Sequence, residues 1–223
     1  MNFSFDEHLS SSIRSTILIT LVLSVFFIVV GMKIKKLDPK KTPKGFLFAC
    51  IMMVETFNNF VSEYMDKEKF KYFGPYLFTV AIFLVVGNTA SLFGINPPLS
   101  NLGVALSFSI ITFSVIKIAE FRFITLKQKV NGLLGDVKFL SPLMLPLNLI
   151  GEVSTPFTMG LRLFVNLLSG VVIATMVYSI LGWIGGIISG VILHAIFDIF
   201  FGLVQAFVFL MLSTINISLA VDA

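Results

Sequence analysis

Arg162 lies in PFTMGLRLFVNLLSG, residues 156–170, with apolar side chains on both sides and no carboxylate within nine positions. A guanidinium stays protonated at any physiological pH. Near the centre of a bilayer it costs about 2.5–3.5 kcal/mol on the insertion scale, and the nearest loop is too distant for easy snorkelling to the interface. Something must compensate that cost. Asn148, Glu152, Thr155, Thr158, Arg162, Asn166 and Ser169 recur at spacings of three or four, which draws one polar stripe along an otherwise apolar helix. Polar contacts between helices, worth about 1 kcal/mol or less each, account for the Thr and Ser members and leave the permanent cation unexplained.

A second polar group follows. His194, Asp198, Gln205 and Asn216 sit at successive offsets of 4, 7 and 11 in an apolar run, close to one face of a continuous α-helix. Asp198 is titratable, and intramembrane acids are by default candidates for a proton pathway; the plainer reading is a hydrogen-bonded contact with a neighbouring helix. His194 and Asp198 at i and i+4 offer two metal ligands without a third. The single Cys50 allows no intrachain disulfide and belongs to no CxxC pair. No Walker A, HExxH, GxSxG or GxGxxG pattern is present. The expectation is therefore no cofactor, no metal and no hydrolytic chemistry by this chain itself.

The elements that must position these residues belong to a membrane. Of 223 residues 57% are hydrophobic and 13% charged, with mean hydropathy +0.98, whereas a soluble domain carries roughly 25% charged residues. The net charge of +4 is spread over basic residues interrupted by apolar runs, which excludes a phosphate-tracking face and hence nucleic acid. Composition predicts an all-α integral membrane protein, a single membrane domain over 1–223, with about five membrane-crossing helices and one interfacial amphipathic helix.

Residues 15–32 form an uncharged first span, read as retained because no basic n-region or small-residue cleavage motif accompanies it. The following KIKKLDPKKTPK carries six Lys and one Asp, which places that loop in the cytoplasm and the N-terminus outside. In 44–64, Glu55, Asn59 and Ser62 share one helical face, as in a helix lying in the interface. Residues 73–93 and 102–116 are the next spans, joined by the uncharged, proline-containing GINPPLSN. Lys117, Arg122, Lys127 and Lys129 return the chain to the basic side. Across 139–223 the only basic residue is Arg162, and the break LGWIGG at 181–186 divides this stretch into helices 139–180 and 187–220, each longer than a perpendicular span. The C-terminus is then cytoplasmic. A GxxxG at Gly186–Gly190 permits close helix approach.

The residues so placed resemble the a subunit of the F-type ATP synthase, the membrane stator that faces a rotating c-ring. LRLFVN at 161–166 is similar to that family's LRLFGN around its essential arginine, here Arg162, and QAFVF at 205–209 matches the segment bearing its glutamine, here Gln205. The resemblance implies a tilted terminal hairpin against the c-ring and two aqueous half-channels opening onto the ring carboxylate. Arg162 drives the deprotonation of that carboxylate and blocks leakage between the half-channels. It further implies Asp198 and His194 as relay groups of the outer half-channel and Gln205 beside the arginine. Asn166, Ser169 and Glu152 line the approach or hold Arg162. The partners it implies are the c-ring, the b subunits of the peripheral stalk, the catalytic head and the lipid bilayer. Its setting is a bacterial plasma membrane, with the mitochondrial inner membrane as alternative, and a proton is the expected ion. Three positions depart from the pattern. Val165 replaces the motif glycine, Val171 stands where relatives carry Glu or His, and Asp198 stands where they carry His or Glu. Two rival classes are a secondary transporter binding an anion at Arg162, which calls for paired repeats absent here, and an intramembrane enzyme, which calls for a catalytic pair.

Overall fold

The computed structural model describes residues 5–36, 45–65, 67–125 and 141–222, and they are helical wherever they are regular. Five helices are long and apolar enough to cross a membrane, and a shorter apolar helix covers Phe46–Ser62. In chain order these are α1 (Phe5–Lys35), α2 (Phe46–Ser62), α3 (Lys67–Thr89), α4 (Leu102–Phe123), α5 (Ser141–His194), a π-helical turn (Ala195–Phe201) and α6 (Gly202–Asp222). Residues 37–44 of the basic loop, with Lys127, Lys129 and Lys138, lie outside the described residues.

The observed helices overrun the apolar windows because flanking polar residues find partners in helical geometry. α4 continues seven residues past the expected end at 116. Lys117 Nζ lies 2.8 Å from Glu120 Oε2 one turn on and 2.8 Å from Glu152 Oε1 of α5, so the cation is neutralised where it leaves the apolar run. Upstream, Asn101 caps α4 by accepting from the Gly103 N–H at 2.9 Å. Gly94, at φ +70°, ends the 3-10 turn Ala90–Phe93 that closes α3; this left-handed backbone suits glycine.

α3, α4 and α6 pack side by side around Leu77, Ile116, Leu210 and Ile217, with Val61 of α2 against the same cluster. A second cluster, Leu84, Leu99, Ala105, Leu163 and Phe209, joins α5 to them. Lipid tails are as apolar as these side chains, so close packing and polar contacts hold such a core, rather than escape from water. The α4–α5 contact shows both devices. A methyl group added to Gly160 would lie 3.1 Å from Leu106 Cα and 3.2 Å from the Ala105 carbonyl oxygen, and the buried Ser109 hydroxyl donates to the Pro156 carbonyl at 2.6 Å. By contrast α1 buries little beyond Ile19, against Phe83 and Ala90, and presents Ile17, Leu21, Val25 and Ile28 outward. α2 turns Glu55, Asn59 and Ser62 outward together.

The last third of the chain doubles back. Asn166 faces Phe201, Gly170 faces Phe197, and Gly190 faces the Tyr178 hydroxyl. Twelve residues of straight helix span about 18 Å, so Tyr178 and Gly190 meet only if the chain turns back between them. α5 runs helical from Ser141 to His194, a span that includes the LGWIGG stretch at 181–186. Its apolar stretch Pro146–Leu181 counts 36 residues. At 1.5 Å per residue that is about 54 Å of helix against a hydrocarbon layer of about 30 Å.

Candidate functional site

Arg162 sits on α5 two residues past the tight Gly160 contact, with its side chain exposed. Among the described residues it has no hydrogen bond or ion pair. Phe157, Leu161, Val165 and Leu168 are exposed around it, and on α6 Leu203, Val204 and Phe207 are exposed as well. An unpartnered guanidinium on an apolar surface is the arrangement a membrane tolerates least, and Leu163 and Leu167, buried on the opposite side of α5, fix it facing outward.

The companions expected from the stripe are distributed differently. Glu152 holds Lys117, not Arg162. Asn166 points its Nδ2 at the Phe201 carbonyl, 3.5 Å away across the hairpin. Thr155 and Thr158 donate to the Gly151 and Ser154 carbonyls of their own helix, at 2.9 and 3.0 Å, and Ser169 is exposed. The stripe is continuous in sequence, but its two ends are tied to different helices because α5 crosses several neighbours.

The second group is divided by the π turn. Asp198 lies within Ala195–Phe201, where bonding shifts from i+4 to i+5, so the turn widens and the single face assumed for a uniform α-helix is lost. Asp198 is half-buried and lines a cavity of about 330 Å³ together with Ser91, Asn96, Ser100, Thr175 and Tyr178. Gln205 is not part of that lining; it is 7% exposed, and its Nε2 is buried without a hydrogen-bond partner among the described residues. The backbone of His194 ends α5, and its side chain lies outside the described residues. Among the described residues no group of three or more His, Cys, Asp or Glu could hold a metal ion.

Sequence reasoning passed over two polar features. Asn88, 1% exposed, donates from Nδ2 to the Gly202 carbonyl at 3.0 Å; the signal was an amide inside the apolar run 73–93. The Lys117, Glu120 and Glu152 cluster was the other: Lys117 was read only as a membrane-edge charge and Glu152 only as a member of the Arg162 stripe. Replacing Lys117 by Met leaves two carboxylates without their shared cation, whereas replacing Glu152 by Gln leaves Lys117 paired with Glu120. The first change is expected to destabilise purified protein by roughly 2–4 kcal/mol and the second by about 1 kcal/mol or less, measured by thermal denaturation. Equal losses would contradict the shared pairing.

The fold and the site together define an all-α membrane protein with an exposed cation on an apolar face of α5 and a separate cavity lined by Asp198. A family model for the ATP synthase A chain matches residues 13–218, and the chain belongs to that family. Similar known proteins include ATP synthase subunit a of Chlorobium phaeobacteroides strain DSM 266, 27% identical over 225 residues that cover 97% of this chain and 66% of the relative. The Mycoplasma pneumoniae subunit a is 28% identical over 86% of this chain and 73% of its own length. A Propionigenium modestum protein described as ATP synthase subunit a, sodium ion specific, is 34% identical over 67% of this chain and 54% of its own length. The chain spans about two thirds of the length of the curated relatives it matches.

Proposed function

We propose that the chain is the ion-translocating stator of an ATP synthase membrane sector, moving protons between two half-channels and the carboxylates of a rotating c-ring without catalysing ATP hydrolysis itself. The observation that carries this reading is the exposed Arg162 on an apolar face, without a hydrogen bond or ion pair among the described residues, which calls for an anion delivered by a partner within the membrane. A carboxylic acid of the ring arriving at that face has its ionised form favoured by the guanidinium. It releases its proton into one half-channel, passes the arginine as an anion, accepts a proton from the other half-channel and returns to lipid neutral. Arg162 cannot give up its own proton, so it conducts nothing between the two paths. Each charge crossing 100 mV supplies about 2.3 kcal/mol to the rotation.

In this scheme Asp198 loads protons from the cavity beside Ser91 and Tyr178, with His194, four positions earlier in the chain, as second relay group. Gln205 spaces the arginine from the ring, while Ser169 and Asn166 border the approach. Glu152, paired with Lys117, fixes α5 against α4 at the border of the same approach. The b subunits of the peripheral stalk and the catalytic head complete the assembly in a bacterial plasma membrane.

Asp198→Asn removes the titratable group while keeping its size. In vesicles carrying the complex stripped of its head, the passive proton flux is expected to fall on the order of tenfold or more. An unchanged flux removes Asp198 from the path. Running the same vesicles on a sodium gradient with the proton gradient collapsed decides the ion: sodium-driven ATP synthesis would replace the proton in this scheme.

A further inference from the structure

We propose that Asn88 and Asn166 are positioning residues that hold Ala195–Phe201 in its π geometry, and that this geometry keeps Asp198 in the cavity and Gln205 out of it. The inference deepens the functional reading above and rests on it only for the consequence, not for the geometry.

In a continuous α-helix seven residues turn through about 700°, so positions 198 and 205 point within about 20° of each other. Each π residue turns less than an α residue, and the stretch from Asp198 to Gly202 loses on the order of 70° by it. The rotation turns the two side chains roughly 90° apart; Asp198 lines the cavity, and Gln205, about 10 Å further along the axis, is buried away from it. A π turn is an uncommon conformation, so the surroundings must favour it over a regular helix.

Two neighbouring helices grip its end. The Phe201 and Gly202 carbonyls are consecutive, and each receives a side-chain amide from a different helix. Asn88 of α3 donates to Gly202 at 3.0 Å, and Asn166 of α5, one turn beyond Arg162, donates to Phe201 at 3.5 Å. A carbonyl oxygen has two lone pairs, so these bonds add to whatever the helix itself makes. Missing side chains let the helices close in at the same places. A methyl group on Gly202 would lie 3.0 Å from Asn88 Cβ, and one on Gly170 would lie 3.2 Å from Phe197 Cβ. Within the turn the Phe197 and Phe201 rings stack at 5.5 Å and 22°. Regularising the turn would rotate the carbonyls away from both amides and leave Asn88, 1% exposed, with an unpaired donor in an apolar interior.

In this chain position 171 is Val, which lines the same cavity as Asp198 and brings no charge to it. The acidic character of the cavity therefore depends on where Asp198 is aimed, and its aim depends on the two amides.

The test uses the complete complex in membranes with Cys50→Ser as background. Single Asp198→Cys and Gln205→Cys variants are treated from outside with a small water-soluble thiol reagent, with and without Asn88→Leu. The expected result is strong labelling of Asp198→Cys that falls on the order of tenfold when Asn88→Leu is added, while labelling of Gln205→Cys rises. Labelling unchanged by Asn88→Leu in assembled complexes overturns the proposal. Should Asn88→Leu fail to assemble, Gly202→Ala serves instead, since it keeps the amide and pushes its backbone away.

The second readout is the pH dependence of passive proton flux in the Asn88→Leu complex with native Asp198. Its apparent midpoint is expected to shift, whereas general destabilisation would scale the flux down equally at every pH and count against a positioning role. Shifted labelling with unchanged flux retains the geometry and overturns the assignment of Asp198 as relay, so the two readings fail separately.

Discussion

Arg162→Ala is expected to reduce ATP synthesis driven by an ion gradient to background in vesicles, while head-catalysed ATP hydrolysis persists uncoupled. Coulomb attraction between unit charges about 4 Å apart is worth about 4 kcal/mol at an effective dielectric of 20. That is close to three pKa units of preference for the ionised ring carboxylate. Without it the carboxyl arrives, stays neutral and passes in either direction. Arg162→Lys tests charge against chemistry. An ammonium shifts its pKa readily when dehydrated and lacks the guanidinium's fork of donors, and the apolar face around position 162 favours that dehydration. The lysine variant is expected to leak protons and to restore little synthesis. Coupled synthesis retained by Arg162→Ala would sink the proposed role.

Gly160→Val is expected to lower coupled synthesis on the order of a hundredfold, because misplacement by about 1 Å at a distance from the chemistry carries costs of that size. The added carbons meet backbone, Leu106 Cα at 3.1 Å and the Ala105 carbonyl at 3.2 Å, and backbone in a packed helix cannot swing aside as a side chain does. α5 must then lift from α4 two residues before Arg162. Overpacking of this kind costs about 1–3 kcal/mol in stability, so the purified protein should also melt earlier. Gly151→Ala is the matched control. Nothing lies within 4 Å of its added methyl group, and alanine is the better helix former by about 1 kcal/mol. It is expected to be neutral or slightly stabilising, and a large loss there would show that any glycine change in α5 is harmful.

The contrast between those two glycines marks where sequence stopped being informative. Both stand in the same apolar helix, and periodicity cannot tell which one touches α4. What patterning did carry was solvent and secondary structure: apolar runs as long as Pro146–Leu181 have few stable forms outside a membrane helix. Arg162 was legible for the same reason, as the one charge its surroundings do not explain. The partners of its stripe were not, because spacing along one helix reports a shared direction and not what lies in that direction. Glu152 finds Lys117 and Asn166 finds Phe201, each on a different element. Asp198 and Gln205 were assigned a common face by assuming 3.6 residues per turn throughout. The π turn meets Asn88, more than one hundred positions earlier, at its end, and no local pattern encodes that contact.

The outward guanidinium also bears on the life of the chain before it meets a partner. A copy released alone into the bilayer carries Arg162 against acyl chains, at a cost of about 2.5–3.5 kcal/mol, or on the order of a hundredfold in the population that keeps it there. On the proposed reading a ring carboxylate removes this penalty when the subunits join. On that same reading the charge proposed to drive transport makes the orphan subunit the less stable species, and it biases biogenesis toward complete complexes and against a free stator.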